Sequence, residues 1–462
     1  MKQDSGSFRD RSGYVYSDGS KIIRTIEPCY KKDWELITQS GFMDEAVQNE
    51  DMISFNEGGP LYHSWKTLDV TPIKFISYPY EWSFSQLKDA ALLTLKLQKQ
   101  ALKKNVTMKD ASAYNVQFVG AKPIFIDLLS FEPLKEDKAW QAYRQFCTHF
   151  LAPLVLASMT DLRLAQLSRQ WIDGIPLDIA KKLLPWRAYL SPGVVMHVIF
   201  HAALQNKYAD PRSFKDKKDS KVMNKQKLLD IVDSLESTVK SQKLPLQKTE
   251  WADYYTDTNY TDKSTQEKLC IVEAVAKEYR GELAVDLGAN TGRFSLPLSK
   301  YFETVIAADI DPVAVDAHYN QLKKNGPRNI LPMILDLSSP SPSLGWACKE
   351  RNSFTKRCDA DLIMALALCH HLFFTVGAPF SKISSYFSKL LKIGGILICE
   401  FIPKEDSQVT RMLSSRDDIF EDYTKEAFDE AFESAGFKEI NVFTLPESIR
   451  TLHVFKMVNH TA

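Results

Sequence analysis

Apolar residues change their rhythm along the chain. From residue 248 to the end, short apolar runs alternate with segments whose apolar positions recur every three or four residues, the pattern of parallel strands interleaved with helices. A helix with Leu269, Val272, Val275 and Ala276 on one face leads into a strand at Leu283–Leu287. Further strands are predicted at Val305–Ala308, Ile330–Leu335, Leu362–Leu366 and Ile396–Phe401. The final pair, Lys438–Thr444 and Thr451–Lys456, flank a loop with Pro446 and suit an antiparallel hairpin at a sheet edge. The fold class is α/β, with a Rossmann-like sheet of seven strands in this half.

Residues 1–210 read as a mixed α+β domain. Between 211 and 247 the chain turns charged: Phe214–Lys227 holds six lysines, while Leu228, Ile231, Leu235 and Val239 keep helical spacing. A linker with a short surface helix is expected there, its lysines forming a solvated face. The three segments are therefore 1–210, 211–247 and 248–462.

Composition narrows the function classes. With 462 residues, 44% hydrophobic and 25% charged, the chain can fold into two or three domains with cores of their own. Its 58 basic and 58 acidic residues cancel, so no global field favours a nucleic-acid partner. Seven cysteines are scattered without a Cys-x-x-Cys pair, which points away from a zinc ribbon or disulfide framework and towards a reducing compartment. The first eighteen residues are polar, and the longest apolar runs, Phe150–Met159 and Gly193–Phe200, are about half a bilayer span. A cytoplasmic protein with no membrane partner is expected.

The run Val285-Asp286-Leu287-Gly288-Ala289-Asn290-Thr291-Gly292 follows a predicted strand and precedes a helix expected near Arg293, with Phe294, Leu296 and Leu298. Two glycines let the backbone turn tightly and approach a ligand. The spacing resembles the Asp-x-Gly-x-x-x-Gly pattern of class I methyltransferases. It departs from the dinucleotide Gly-x-Gly-x-x-Gly because residue 290 is Asn. The resemblance implies S-adenosylmethionine as cofactor. It places Asp286 at the amino end of the methionine moiety, the turn Gly288, Asn290 and Gly292 along its backbone, Asp309 at the ribose hydroxyls and Asp336 at the adenine amino group. Taken singly, each aspartate reads as a cap at the end of its strand.

The fourth predicted strand runs into Ala365-Leu366-Ala367-Leu368-Cys369-His370-His371-Leu372, at the sheet edge where open α/β folds bind ligands. His370 or His371 is a candidate base, since a near-neutral imidazole can accept the proton of an attacking hydroxyl or amine. Either ring can equally be a shaping group bonded to backbone. The Asn/Asp-Pro-Pro-aromatic signature of many nucleic-acid N-methyltransferases is absent, which favours a small-molecule or glycan acceptor over nucleic acid. Glu400 and Lys404-Glu405-Asp406 either line the acceptor pocket or form loop surface. Trp251, Tyr254, Tyr255 and Tyr260 are candidates to cover a sulfonium by cation–π attraction.

In the N-terminal region Asp110-Ala111-Ser112-Ala113-Tyr114-Asn115 repeats the Asp-x-x-x-x-Asn spacing of kinase catalytic loops, and Asp127 follows twelve residues later. Ile73–Tyr78 is predicted as a strand, and a helix with Ala90, Leu93, Leu97 and Ala101 precedes Asp110. The region resembles aminoglycoside-phosphotransferase-like and other atypical kinase folds. That resemblance puts Asp110 at the base position and Asn115 and Asp127 at Mg²⁺ positions. Met108 and Lys109 depart from the usual His and Arg or Gly, Arg24 stands where a kinase strand lysine would, and no Gly-rich phosphate loop is present. His197 and His201, four apart on a predicted helix Val194–Leu204, lack the Glu of a His-Glu-x-x-His site and read as core histidines. No resident metal is expected.

The whole chain resembles a bacterial-type family of class I methyltransferases that includes rhizobial nodulation-associated proteins, through Ser77-Tyr78-Pro79-Tyr80-Glu81-Trp82-Ser83-Phe84, Phe125-Ile126-Asp127 and Ala367-Leu368-Cys369-His370-His371-Leu372. The function implied is methyl transfer from S-adenosylmethionine to an unidentified acceptor. The alternative is a module that senses S-adenosylmethionine beside a kinase-like nucleotide-binding region.

Overall fold

The computed structural model describes residues 1–19, 21–135, 138–202, 223–245, 262–414 and 418–460. Among these, the chain forms two compact units: 1–118, 122–245 and 344–351 in one, and 119–121, 262–343 and 352–460 in the other.

In the first unit, strands β1 (Lys2–Gln3), β2 (Val15–Ser17), β3 (Ile22–Ile26), β4 (Phe55–Gly58) and β5 (Lys66–Val70) make an antiparallel sheet of order β1-β2-β3-β5-β4. Helix α1 (Phe84–Lys103) follows. Its N-terminus is a capping box: Ser83 Oγ accepts the Gln86 N–H, and Gln86 Oε1 accepts the Ser83 N–H. Ala90, Leu97 and Ala101 along it are wholly buried, and Leu93 nearly so, as their spacing predicts. Two strand pairs come next, β6 (Val106–Met108) with β9 (Phe131–Pro133) and β7 (Val116–Val119) with β8 (Lys122–Phe125). Ile73–Tyr78 is not a strand; it leads into a single 3-10 turn at Pro79–Glu81. The reason is local: a proline fixes φ at residue 79, and Glu81 reaches back to accept the Tyr78 N–H at 2.8 Å, which takes a donor that a sheet ladder needs.

The short surface helix expected within a linker is instead a seventeen-residue core helix, α2 (Lys225–Ser241). Leu228, Val232, Leu235 and Val239 are at most 2% exposed. Val232, not Ile231, completes the stripe. Lys99 of α1 pairs with Asp233 and Glu236, and Lys88 Nζ donates to the carbonyls of Lys240 and Gln242. The first unit thus runs past residue 210 to take in this helix. The lysine-rich stretch 214–222 and the aromatics Trp251, Tyr254, Tyr255 and Tyr260 lie outside the described residues.

The second unit opens with α3 (Asp262–Glu278) and continues β10 (Gly281–Leu287), α4 (Ser295–Leu298), β11 (Phe302–Asp309), α5 (Pro312–Asn325), β12 (Ile330–Ile334), β13 (Ala360–Ala365), α6 (Cys369–Phe374), β14 (Leu391–Phe401), β15 (Phe437–Thr444) and β16 (Thr451–Met457). Its seven-stranded sheet has the order β12-β11-β10-β13-β14-β16-β15. The first five strands are parallel, and β16 alone runs against them, paired antiparallel with β14 on one side and β15 on the other. Parallel strands bury both faces, which is why β10 to β13 read as nearly continuous apolar runs. Val272, Ala284, Val305, Leu362 and Ile398 fill one core. The strand order reverses between β11 and β13 on either side of β10, so the crevice beyond the carboxyl ends of these strands is the place for a ligand.

Candidate functional site

Register brings the predicted residues to one edge. Leu287 of β10 pairs with Ala308 of β11 and with Ala365 of β13, so Gly288, Asp309 and Leu366 all emerge at the same side of the sheet. Three turns meet there.

The first is the Gly-rich turn. Gly288 and Gly292 have φ of +77° and +78°, and Asn290 between them has φ of +50°. Asn tolerates this left-handed region better than other side chains. The N–H groups of Gly288 and Ala289 both donate to Ala308 O, at 2.9 and 3.0 Å. At Gly292 a second constraint applies: a Cβ there would stand 1.9 Å from His318 Cε1. His318, on α5, is buried with neither ring nitrogen hydrogen-bonded among the described residues, and burial holds its pKa down at about 4. The ring therefore packs as a neutral filler against the glycine. The helix expected from Arg293 is only one turn, Ser295–Leu298, with Pro297 inside it and Leu296 partly exposed. Such a stub offers little of the N-terminal dipole that a phosphate ligand uses.

Around this turn stand the aspartates. Asp286 is 2% exposed and accepts the Ser295 hydroxyl at 2.6 Å. Burial pushes its carboxyl up to about 7; Ser295 and Lys268 oppose that rise, and the charge of Asp309 adds to it. Asp309, 8% exposed, accepts the Asn290 N–H at 2.7 Å and the Asp311 N–H at 2.8 Å. Burial raises it to about 6 against those two bonds. Asp311 caps α5 by accepting the Val313 N–H at 2.8 Å. Asp336 lies farther out and half-buried, its Oδ1 accepting the N–H and hydroxyl of Ser338 at 2.8 and 2.6 Å. Leu335 N–H donates to Asp309 O at 2.8 Å, which ties that strand end to β11. A carboxylate with two such bonds made still has lone pairs to offer.

Beyond β13, α6 begins at Cys369 directly after the turn 366–368. Leu368 Cδ1 would lie 3.5 Å from a Cβ at Gly288, so this turn abuts the first. His370 and His371 have ring centroids 4.1 Å apart. His370 is 3% exposed with Nδ1 unpartnered among the described residues. Burial lowers both rings, His371 to about 4. They are neutral at ordinary pH, with a lone pair available but a conjugate acid that is hard to form. Glu400 is no loop residue; it ends β14, is 1% exposed, and pairs with Lys268 at 2.6 Å. Asp406 caps the helix Ser407–Leu413 and holds buried Arg450 through two bonds of 2.7 and 2.8 Å, while Lys404 pairs with Asp418.

In the first unit the residues singled out by spacing also meet. Asn115 Nδ2 donates to Asp110 O at 3.3 Å and to Ser130 Oγ at 3.0 Å. Ser130 Oγ donates to Asp127 Oδ2 at 2.7 Å, and Arg24 Nη2 lies 2.7 Å from Asp127 Oδ1. Burial and the charge of Asp127 raise the Asp110 carboxyl. His197 bonds Tyr143 Oη at 2.7 Å and Ser234 Oγ at 2.9 Å, so both its nitrogens are used inside the core. The sequence pattern could not show Lys268, Arg450 or His318; each depends on a fold contact far from its own motif.

No family model matches the chain. Over 462 residues, covering 98% of the chain and 95% of the relative, it is 35% identical to nodulation protein NoeA of Rhizobium meliloti (strain 1021). Among solved structures it is similar to N-methyltransferase NodS from Bradyrhizobium japonicum WM9, at 13% identity and a TM-score of 0.31 over 43% of this chain and 98% of that one. It is also similar to magnesium protoporphyrin IX methyltransferase (ChlM) from Synechocystis PCC 6803, at 18% identity and a TM-score of 0.33 over 45% and 92%.

Proposed function

The chain belongs to the family of nodulation protein NoeA, and we propose that its second unit is a class I methyltransferase that uses S-adenosylmethionine on a small-molecule or glycan acceptor. The single observation that carries this reading is electrostatic. Two carboxylates, Asp286 and Asp309, are buried at a glycine turn with pKa values of about 7 and 6. Buried anions held this far above their ordinary range gain from a ligand that brings a cation or hydroxyl donors. A pyrophosphate would add negative charge at the same place, where the one-turn α4 gives it little return.

The donor set fits the nucleoside-methionine group. Asp286 would take its ammonium, the backbone of Gly288, Asn290 and Gly292 its methionine stem, Asp309 its ribose hydroxyls and Asp336 its adenine amino group. When bound, that group supplies an electrophilic methyl on a sulfonium. The chain's own part is then to hold an acceptor heteroatom in line, which is chiefly positioning. His370 or His371, neutral and beside the turn, would accept the acceptor's proton or orient it. Calorimetry with S-adenosylmethionine tests the assignment: saturable binding by the whole chain, abolished by Asp286→Ala and by Asp309→Ala, is expected. Undiminished binding by those variants would overturn it.

The second reading, a sensor of S-adenosylmethionine joined in one chain to a nucleotide-binding module, draws on the meeting of Asp110, Asn115, Asp127 and Arg24. ATP with Mg²⁺ should then raise the melting temperature, and Asp127→Ala should remove the rise.

A further inference from the structure

A buried ion pair in the second unit joins α3 to β14. Lys268 Nζ, from α3, lies 2.6 Å from Glu400 Oε2, with side-chain exposures of 2% and 0%. The same oxygen accepts the Ala367 N–H at 2.7 Å. Ala367 has φ of +48°, a left-handed backbone in which its Cβ is crowded and which only surrounding structure can hold. This residue sets the direction of the turn that carries Leu368 against Gly288 and then His370 and His371 into α6. On its other side Lys268 stands 5.2 Å from the centroid of Phe294, just past the Gly-rich turn, and its charge acts on Asp286 as well.

A charge pair removed this far from water stabilises a fold little, and replacing it by apolar residues is often neutral or better. Its geometry here has a different use. We propose that Lys268 and Glu400 are positioning residues: Glu400 locks the Ala367 N–H so that the turn 366–368 presents His370 and His371 beside the Gly-rich turn, and Lys268 supplies the charge that lets a carboxylate stand there. Neither group touches the reacting atoms. The ammonium pairs with Glu400, which holds the turn 366–368, and its charge also acts on Asp286, so one cation serves both. The functional meaning of the lock rests on the methyl-transfer reading; the lock itself does not.

Amide hydrogen exchange on the full chain tests the lock. Glu400→Ala should speed exchange at Ala367 and Leu368 by about tenfold or more while the β15–β16 hairpin keeps its protection. The double variant Lys268→Met/Glu400→Gln keeps an acceptor oxygen for Ala367 without any charge, and should stay within about threefold of the parent at those amides. If Glu400→Ala does not fold, Lys268→Met/Glu400→Leu removes acceptor and charges together and serves the same comparison. Unchanged exchange at Ala367, or acceleration spread evenly over the sheet, would overturn the proposal.

A second readout separates positioning from mere support. Binding of S-adenosylhomocysteine, measured against pH, reports ionisation of Asp286 and Asp309; Asp286 is faced by Lys268 from α3, Ser295 from α4 and Asp309 from β11, whereas Asp309 is faced by Asp311 and by the backbone of residues 290, 310 and 311. The Lys268→Met/Glu400→Gln variant leaves Ser295 and Asp309 in place, so its binding midpoint should move up by about half a pH unit or more. An unmoved midpoint counts against Lys268. Failure of the parent protein to bind S-adenosylhomocysteine at all would sink the methyl-transfer reading instead, leaving the lock to stand or fall on exchange.

Discussion

At the scale of single residues, the glycine turn is built from groups whose burial costs folding free energy. Asp286 keeps its proton up to about pH 7 in the folded chain, against an ordinary 3.8. Between those values the folded state binds more protons than the unfolded one, so stability falls as pH rises through that window. Asp286→Asn should therefore raise the melting temperature at pH 8, by an equivalent of up to about 4 kcal/mol, and bring no gain near pH 4. Calorimetric melting at both pH values checks this, and the same variant should lose S-adenosylhomocysteine. Gly292 is constrained twice, by its φ and by the His318 ring. Gly292→Ala should cost about 2 kcal/mol or more, and adding His318→Ala should recover part of that, since it clears the ring but not the backbone. Denaturant titration of the single and double variants measures the coupling; strict additivity would mean that the ring does not set the constraint. For the acceptor histidines, His370→Asn and His371→Asn should leave S-adenosylhomocysteine affinity within about threefold. The one that serves as base should lower methylation by about 10²–10⁴.

At the scale of elements, strands were legible and helices less so. Every predicted strand of the second unit is present within a few residues, because a buried parallel strand must be an apolar run wherever it packs. Helix α4 shrank to one turn because Pro297 and the glycine turn leave it no room to extend. Helix α2 grew from a surface piece to a core element because its stripe of Leu228, Val232, Leu235 and Val239 finds α1. That difference can be measured: Leu235→Ala should destabilise the protein by about 2–4 kcal/mol as a core truncation, whereas a linker residue would change stability by less than about 0.5 kcal/mol. The turn between β13 and α6 is an element no periodicity predicts, since its left-handed Ala367 is held by a carboxylate thirty-three residues away.

At the scale of the whole molecule, no described helix is long and apolar enough to cross a membrane. The NoeA relationship extends along nearly the full length of both proteins and so spans both units of the chain. Incubating cell extract with methyl-labelled S-adenosylmethionine and the intact protein should label a fraction containing small molecules or glycans. Label in RNA or protein would redirect the acceptor assignment, and a complete absence of label would favour the sensor. The Asp110, Asn115, Asp127 and Arg24 cluster gives the first unit its own test, with nucleotide and Mg²⁺ as probe.

The sequence by itself determined the α/β class, the strand order along the second half, the glycine turn and the aspartates at strand ends. These follow from local rules: burial demands apolar runs, tight turns demand glycine or asparagine, and strand ends place side chains at one edge. Only the tertiary structure decided how those aspartates titrate, that burial lowers the pKa of His370 and His371, and that Glu400 is a buried, paired core group and not loop surface. Desolvation and pairing depend on what the rest of the chain packs against a side chain. Lys268 meets Glu400, and His318 meets Gly292, through folding alone, and no spacing along the sequence records either meeting.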